Sequence, residues 1–202
     1  MKKLLSLVGM AGSGKSQVSR VFEDNGFTRL RFGDVTDEEI KKRNLELNEE
    51  NERYIREQLR TEHGMAAYAI LNQKKIDTIL KNSDVVIDGL YSWEEYIFLK
   101  EQYGEAFFVV AIYSSPQTRY ARLAGRAHRG LTIEEAYSRD RAEIENLNKG
   151  GPIAVADFTI INESSLKELE YETERIITRL KTEDYEKETI ASLRNRQCKD
   201  RI

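Results

Sequence analysis

Leu4-Leu5-Ser6-Leu7-Val8-Gly9-Met10-Ala11-Gly12-Ser13-Gly14-Lys15-Ser16 decides how the rest of this chain is read. The apolar run Leu4 to Val8 has the length and composition of a buried strand. Gly9, four residues, then Gly14-Lys15-Ser16 spell G-x-x-x-x-G-K-S. Glycines at these places let the backbone curl tightly and bring its N–H groups close to an anion with no Cβ in the way. A helix expected from about Gly14 adds the positive end of its dipole. Lys15 is a mobile point charge for outer phosphates, and the Ser16 hydroxyl suits Mg²⁺. Gly9, Ala11, Gly12, Ser13, Gly14, Lys15, Ser16 and Gln17 are therefore the expected cradle of ATP, with Mg²⁺ beside it. The motif says nothing about what receives a phosphate.

The 202-residue length favours one domain. With 33% charged residues and a net charge of only −3, binding nucleic acid or an anionic membrane would need a local basic patch, and neither partner is expected. Lys2 and Lys3 precede an apolar stretch too short for a signal peptide, and no run approaches the about 18 apolar residues of a membrane span. The single cysteine, Cys198, builds neither a disulfide framework nor a zinc site, which fits a reducing cytoplasm.

Outward from the glycine-rich turn, strands and helices alternate. A helix is expected over residues 15–24, stopped by Asn25-Gly26, then a strand from Phe27 to Phe32. Thr36 and Glu39 have capping-box spacing for a helix from Thr36 to Arg43. A thinly apolar helix follows from Asn48 to Glu62 and a better core helix from Met65 to Leu80. Val85 to Asp88 reads as a buried parallel strand, Ser92 to Tyr103 as a helix, and Ala106 to Tyr113 as the most hydrophobic strand. Ser115 and Pro116 open a helix to about Arg126, and Thr132 with Glu135 opens another to about Asn148. Lys149 to Pro152 reads as a loop, Phe158 to Ile161 as the last strand, Ser165 to Leu180 as the last helix, and residues 181–202 as a charged tail. This order predicts an α/β fold, with a parallel sheet covered by helices on both faces and ligands at the carboxyl ends of its strands.

Asp88 ends a buried strand, where a carboxylate can support a loop-bound Mg²⁺ or simply cap the next turn. Arg119, Arg122, Arg126 and Arg129 share one side of a predicted helix. Four adjacent cations repel, so a polyphosphate or nearby acids must oppose them, and Arg122 and Arg126 are the best placed to reach one phosphate chain. Arg119, nearest the helix start, is expected to tie to the body of the protein. Arg139 and Arg141 suit phosphate or pairing with Asp140, Glu143 and Glu145. Asp34, beside the mouth of the sheet, would orient an acceptor hydroxyl or cap a helix. Arg43, Arg53, Arg56 and Arg60 follow it and suit an acceptor phosphate or a solvated surface. His63 and His128 carry no mark of a ligand or base.

Taken together, Gly9 to Ser16, Phe32-Gly33-Asp34, Val86 to Gly89, Ser115 to Leu123 and Ala156 to Asn162 make residues 4–180 resemble the P-loop nucleoside-monophosphate-kinase superfamily. Within it the chain is most similar to dephospho-CoA kinases and the adenylate-kinase-related proteins like them. The resemblance implies a three-layer P-loop NTPase fold in a single kinase domain, 1–180. It also implies a helical acceptor-binding flap at 34–64, and a lid at 116–148 carrying Arg122 and Arg126 over ATP. Ala156 to Asn162 would lie near the adenine, with Asn162 contributing to the nucleotide site. Lys15, Asp34, Arg122 and Arg126 become the expected catalytic set, with Ser16 and Asp88 holding metal. Two departures stand out: Leu90-Tyr91 follows Asp88-Gly89 where adenylate kinases supply an acceptor-binding arginine, and the first arginine after Gly33-Asp34 is Arg43. The implied activity is ATP-dependent phosphoryl transfer to a nucleoside monophosphate or dephospho-CoA, by a monomer or small homo-oligomer. The alternative is a partner-binding regulator with slow ATP hydrolysis. Asn148-Lys149-Gly150-Gly151 lacks the aspartate of a guanine-reading motif, which disfavours GTP.

Overall fold

A computed structural model of the chain describes residues 2–126 and 130–182. Its strands are β1 (Leu4–Val8), β2 (Thr28–Arg31), β3 (Val85–Asp88), β4 (Phe107–Tyr113) and β5 (Phe158–Ile161), joined in one parallel sheet of order β2-β3-β1-β4-β5. The helices are α1 (Lys15–Asp24), α2 (Asp34–Lys42), α3 (Glu49–His63), α4 (Ala67–Leu80), α5 (Trp93–Tyr103), α6 (Pro116–Ala124), α7 (Ile133–Glu145), α8 (Gly150–Ala154) and α9 (Leu166–Lys181). This is the expected α/β architecture.

The pleat sorts each central strand onto two cores. Leu4, Val8, Val85, Ile87, Phe107, Val109 and Ala111 face one core, with side chains of α3 and α4. Leu5, Leu7, Val86, Phe108, Val110 and Ile112 face the other, with α1 and α9. A strand covered on both faces reads as an unbroken apolar run, which is why β1 and β4 are legible in the sequence. Each fully buried Leu or Val of β1 contributes on the order of 2 kcal/mol. The edge strands β2 and β5 are only four residues each and carry exposed or charged positions, which limits pairing with another chain.

Chain order places β1 in the middle, with β3 on one side and β4 on the other. The connections reverse direction there, so a crevice opens at the carboxyl ends of β1, β3 and β4. Gly9, Asp88 and Ser114 follow or end these strands.

Several local expectations change. Helix α2 starts at Asp34, and Thr36 does not cap it: its buried hydroxyl bonds to the Tyr68 hydroxyl at 2.6 Å, while Glu39 turns to Arg43 and Lys42. In α4, Ile70 is exposed and Ala67 and Tyr68 take the core positions. Residues 150–154 form the short α8 rather than a loop, with Lys149 and Pro152 buried at its start. Helix α6 ends at Ala124, two residues before the expected Arg126. Ser92, Ser115 and Ser165 cap their helices as expected, and Thr132 with Glu135 forms a full capping box. His128, Arg129 and the tail from residue 183 lie outside the described residues. No described helix is long and apolar enough to cross a membrane.

Helices α6 and α7 are joined by one buried fork. Arg119 donates to Asp140 Oδ1 at 3.0 Å and Oδ2 at 2.7 Å, and also to the carbonyls of Ser114 and Ala11. Removing one partner of such a pair strands the other charge, whereas replacing both with apolar groups need not destabilise. Asp140→Ala should therefore lower unfolding stability by about 3 kcal/mol in a urea titration. Arg119→Met combined with Asp140→Leu should recover much of that loss, and an undiminished loss in the double variant would contradict this account.

Candidate active site

The glycine-rich turn between β1 and α1 is a close-fitted object. Gly9 (φ 151°) and Gly14 (φ 106°) hold backbone shapes that L side chains rarely adopt. A Cβ on Gly9 would strike the Ile112 carbonyl oxygen, and one on Gly14 the side-chain amide of Asn162. Gly14 is the N-cap residue of α1 and no side chain caps that helix. The first-turn N–H groups and the dipole are therefore presented to the mouth of the loop. Ser16 and Gln17 lie exposed on this turn.

The Lys15 ammonium folds back over the loop. Nζ donates to the carbonyls of Gly9 at 2.8 Å and Met10 at 3.1 Å. Burial, and then the charge of Lys149, pull its pKa down to about 7, against the opposing pull of Glu143 and Asp88.

The ends of β4 and β5 converge on Ser13. Asn162, just past β5, donates its amide to the Ser13 carbonyl at 2.8 Å. The Ser114 hydroxyl, just past β4, bonds to the carbonyl of Asn162 at 2.6 Å and more weakly to that of Ser13 at 3.4 Å. Arg122, on α6, donates to the Ser114 hydroxyl and the Asn162 carbonyl, each at 3.1 Å. Ala11 lends its carbonyl to Arg119, and a Cβ on Gly12 would crowd the Arg119 backbone. The Ala156 to Asn162 stretch is split by this arrangement. Asp157 accepts from the Val109 N–H at the far end of the sheet, and only Asn162 reaches the loop.

The predicted arginine stripe is not one surface. Arg119 is buried in the body, as expected, and Arg122 is bound to Ser114 and Asn162 behind the loop. Arg126 lies beyond the end of α6, exposed, with its pKa lowered by partial burial and by repulsion from Arg139. Arg139 and Arg141 pair with Glu143 and Glu145 along α7.

On the other side of the crevice, Asp88 is 7% exposed and its Oδ2 pairs with Arg29 of β2. Asp34, in the first turn of α2, shares Arg31 with Asp37, at 3.0 Å and 2.8 Å. Arg60 of α3 lies over the Tyr68 ring, and Tyr68 meets Tyr91 edge to face. Burial, and then the nearby Asp88, raise the Tyr91 hydroxyl pKa.

Lys149, 2% exposed, completes the cluster. Its ammonium bonds to Glu143 Oε2 at 2.8 Å and stands 5.6 Å from the centre of the Tyr91 ring. A cation thus stands beside the residue that follows Asp88-Gly89-Leu90, where the sequence supplies no arginine. Burial alone would raise the Glu143 pKa, but Lys149, Lys15 and Arg139 together hold it at about 2. Sequence reasoning missed Lys149, Glu143, Arg29 and Ser114 as site residues. Of these only Arg29 carried a signal, as a charge alternating with Leu30 on a short strand.

The carboxylate of Glu95, fully buried under Tyr91, accepts from the Tyr91 N–H at 2.8 Å. Burial lifts its pKa from 4.5 to about 7. The folded state then binds a proton that the unfolded chain releases, so this contribution is fully present below pH 4.5 and fades as pH rises through about 7. Glu95→Gln should flatten the dependence of unfolding stability on pH between about 4.5 and 7 by up to about 3 kcal/mol, read from denaturant titrations at several pH values. An unchanged slope would rule out Glu95 as its source.

Residues 6–146 match a family model described as an AAA domain. UPF0200 protein TK1334 of Thermococcus kodakarensis is 36% identical over 178 residues, which cover 86% of this chain and 96% of that one. UPF0200 protein PF1294 of Pyrococcus furiosus is 38% identical over 179 residues, covering 87% and 96%. Among solved structures, TT1252 from Thermus thermophilus superposes with a TM-score of 0.61 at 17% identity, covering 90% of this chain and 99% of that one. Shikimate kinase from Acinetobacter baumannii gives 0.56 at 18% identity, covering 91% and 97%. These likenesses establish a fold shared with small-molecule P-loop kinases. The chain belongs to the UPF0200 family and carries an AAA domain over residues 6–146.

Proposed function

We propose that this protein is an ATP-dependent phosphotransferase acting on a small acceptor of nucleotide type, a nucleoside monophosphate or dephospho-CoA. One observation carries the reading. Lys15 folds over the loop and Arg122 sits on Ser114 and Asn162, the two residues that reach Ser13, and both donate only to neutral oxygens. Among the described residues no carboxylate is bonded to either, so an anion at the loop would find two donors without an acid partner. The domain would be a single unit, 1–180, with 116–148 as lid and 34–64 as acceptor flap.

In this reading the backbone from Gly9 to Gln17 cradles the phosphates, and Lys15 and Arg122 neutralise their charge. Asn162 keeps the loop in shape, and Arg126 reaches in from beyond α6. Asp34 orients the acceptor hydroxyl and accepts its proton, released from Arg31 as the flap closes. The donors offered to Mg²⁺ are hard oxygens, the exposed Ser16 hydroxyl and the Asp88 Oδ1 left by Arg29. Among the described residues no three His, Cys, Asp or Glu side chains form a metal cage, which suits an ion shared with phosphate oxygens. When bound, Mg²⁺ would offset charge on those oxygens. The chain's own residues supply position and electrostatics.

Nucleoside monophosphates and dephospho-CoA, added singly to enzyme with ATP and Mg²⁺, should raise ATP turnover well above its idle rate for one acceptor class. Turnover indifferent to every acceptor would instead favour a regulator with slow ATP hydrolysis. With the active acceptor, Arg122→Ala and Arg126→Ala should each lower kcat more than they raise KM for ATP, by ~10²-fold or more for Arg122. Asp34→Asn should lower kcat by ~10² at unchanged ATP affinity. Kinetics of the arginine variants indistinguishable from wild type would remove them from the machinery.

A further inference from the structure

The pair Lys149–Glu143 does something unusual for a structural ion pair. Both groups are deeply buried, 2% and 12% exposed at the side chain. Burying two charges is expensive, and an apolar pair of similar volume would often serve stability as well. The surroundings make the arrangement more lopsided. The Glu143 carboxylate bonds to Lys149 at 2.8 Å and Arg139 at 3.3 Å, and it lies within the field of Lys15. Asp88, the other acid nearby, is already paired with Arg29. One carboxylate is thus divided among three cations at the mouth of the phosphate loop.

The two partners are joined twice: besides the side-chain ion pair, the Lys149 N–H donates to the Glu143 carbonyl at 3.2 Å. The chain around Lys149 is anchored to the body: the Trp93 N–H donates to the Leu147 carbonyl at 3.2 Å, and Gly151 lies against the Trp93 ring. Glu143 lies on α7, in the segment assigned above to the lid. The ammonium is therefore fixed beside Lys15 and Tyr91, and with both backbones held only the carboxylate end of Glu143 is free to swing away.

We propose that Lys149 is a second phosphate-binding ammonium between the loop and the acceptor side, and that the Glu143 carboxylate holds the phosphates' place until nucleotide displaces it. This rests on the kinase reading above and adds to it a residue and an exchange: Lys149 trades the Glu143 carboxylate for phosphate oxygens, and the Glu143 side chain turns aside. The lysine supplies the cation that the chain lacks after Asp88-Gly89.

The test is calorimetric affinity for ATP with Mg²⁺, with thermal unfolding alongside, on wild type, Lys15→Ala, Lys149→Met, Glu143→Gln and the Lys149→Met/Glu143→Gln double variant. Lys149→Met should weaken binding by roughly 10–100-fold, the range for a charge-assisted hydrogen bond. Glu143→Gln should lower the unfolding temperature of the free protein yet bind ATP about fivefold or more tightly, because no carboxylate has to be displaced. That gain should vanish in the double variant. A pair that merely holds the fold would lower the unfolding temperature in both single variants and leave affinity unchanged, which would overturn the proposal. A Glu143→Gln gain that persists without Lys149 would also overturn it, assigning the effect to Lys15 alone. If Lys149→Met does not fold, Lys149→Gln takes its place in the cycle. Loss of binding in Lys15→Ala with none in Lys149→Met refutes the role of Lys149 and leaves ATP use standing. Wild type that binds no ATP refutes both.

Discussion

The carbonyl oxygen of Ser13 is the point on which this molecule closes. Asn162 reaches it from the end of β5, 149 residues away in sequence, and Ser114 reaches it from the end of β4. A loop of glycines has little intrinsic order, since glycine loses the most conformational freedom on folding. The contacts at Ser13 give that order from outside, and they explain why Gly14 can carry no side chain: the Asn162 amide fills the space. The same asparagine carbonyl receives Arg122, so the loop and the first helix of the proposed lid are fixed by one residue of an edge strand. Loop shape, helix α1 and the placement of Arg122 all follow from a tertiary hydrogen bond.

Charge is the second constraint. The crevice collects Lys15, Lys149, Arg122, Arg126 and Arg139 around few acids, and the protein tolerates this by using carbonyls as partners for some and one shared carboxylate for others. Such a site is strained in the electrostatic sense: Lys149 helps burial pull the Lys15 pKa down, and Arg139 adds to the lowering of that of Arg126. It is also preorganised: donors already point where negative charge would sit, and little reorganisation is needed when an anion arrives.

Much of the fold was legible because it is written locally. The loop needs glycines at fixed spacing, buried parallel strands need unbroken apolar runs, and helix starts need Ser or Thr at the cap. The loop glycines, the runs of β1, β3 and β4, and the caps Ser92, Ser115 and Thr132 appear in the sequence at the observed places. What failed to show were features decided by distant packing. Thr36 has the spacing of a capping residue, yet the buried Tyr68 hydroxyl claims it. The arginine periodicity runs past Ala124, but α6 stops there, so Arg126 leaves the stripe. Lys149, before two glycines and a proline, looks like a solvated turn. It is buried because Trp93, on a distant helix, covers Gly151, and because the chain after α7 folds Lys149 back onto Glu143. Arg29 meets Asp88 only through the register of β2 on β3.

Strand β5 acts as a ruler. At its amino end Asp157 is fastened to the Val109 N–H, and at its carboxyl end Asn162 is fastened to Ser13. Between them Phe158 and Ile160 face the core while Thr159 and Ile161 face outward. Because side chains alternate along a strand, adding or removing one residue there would turn Asn162 to the opposite face and leave the phosphate loop without its support. The outward positions, by contrast, are free to change chemistry. This short edge segment can drift widely in composition over evolutionary time while its length stays fixed.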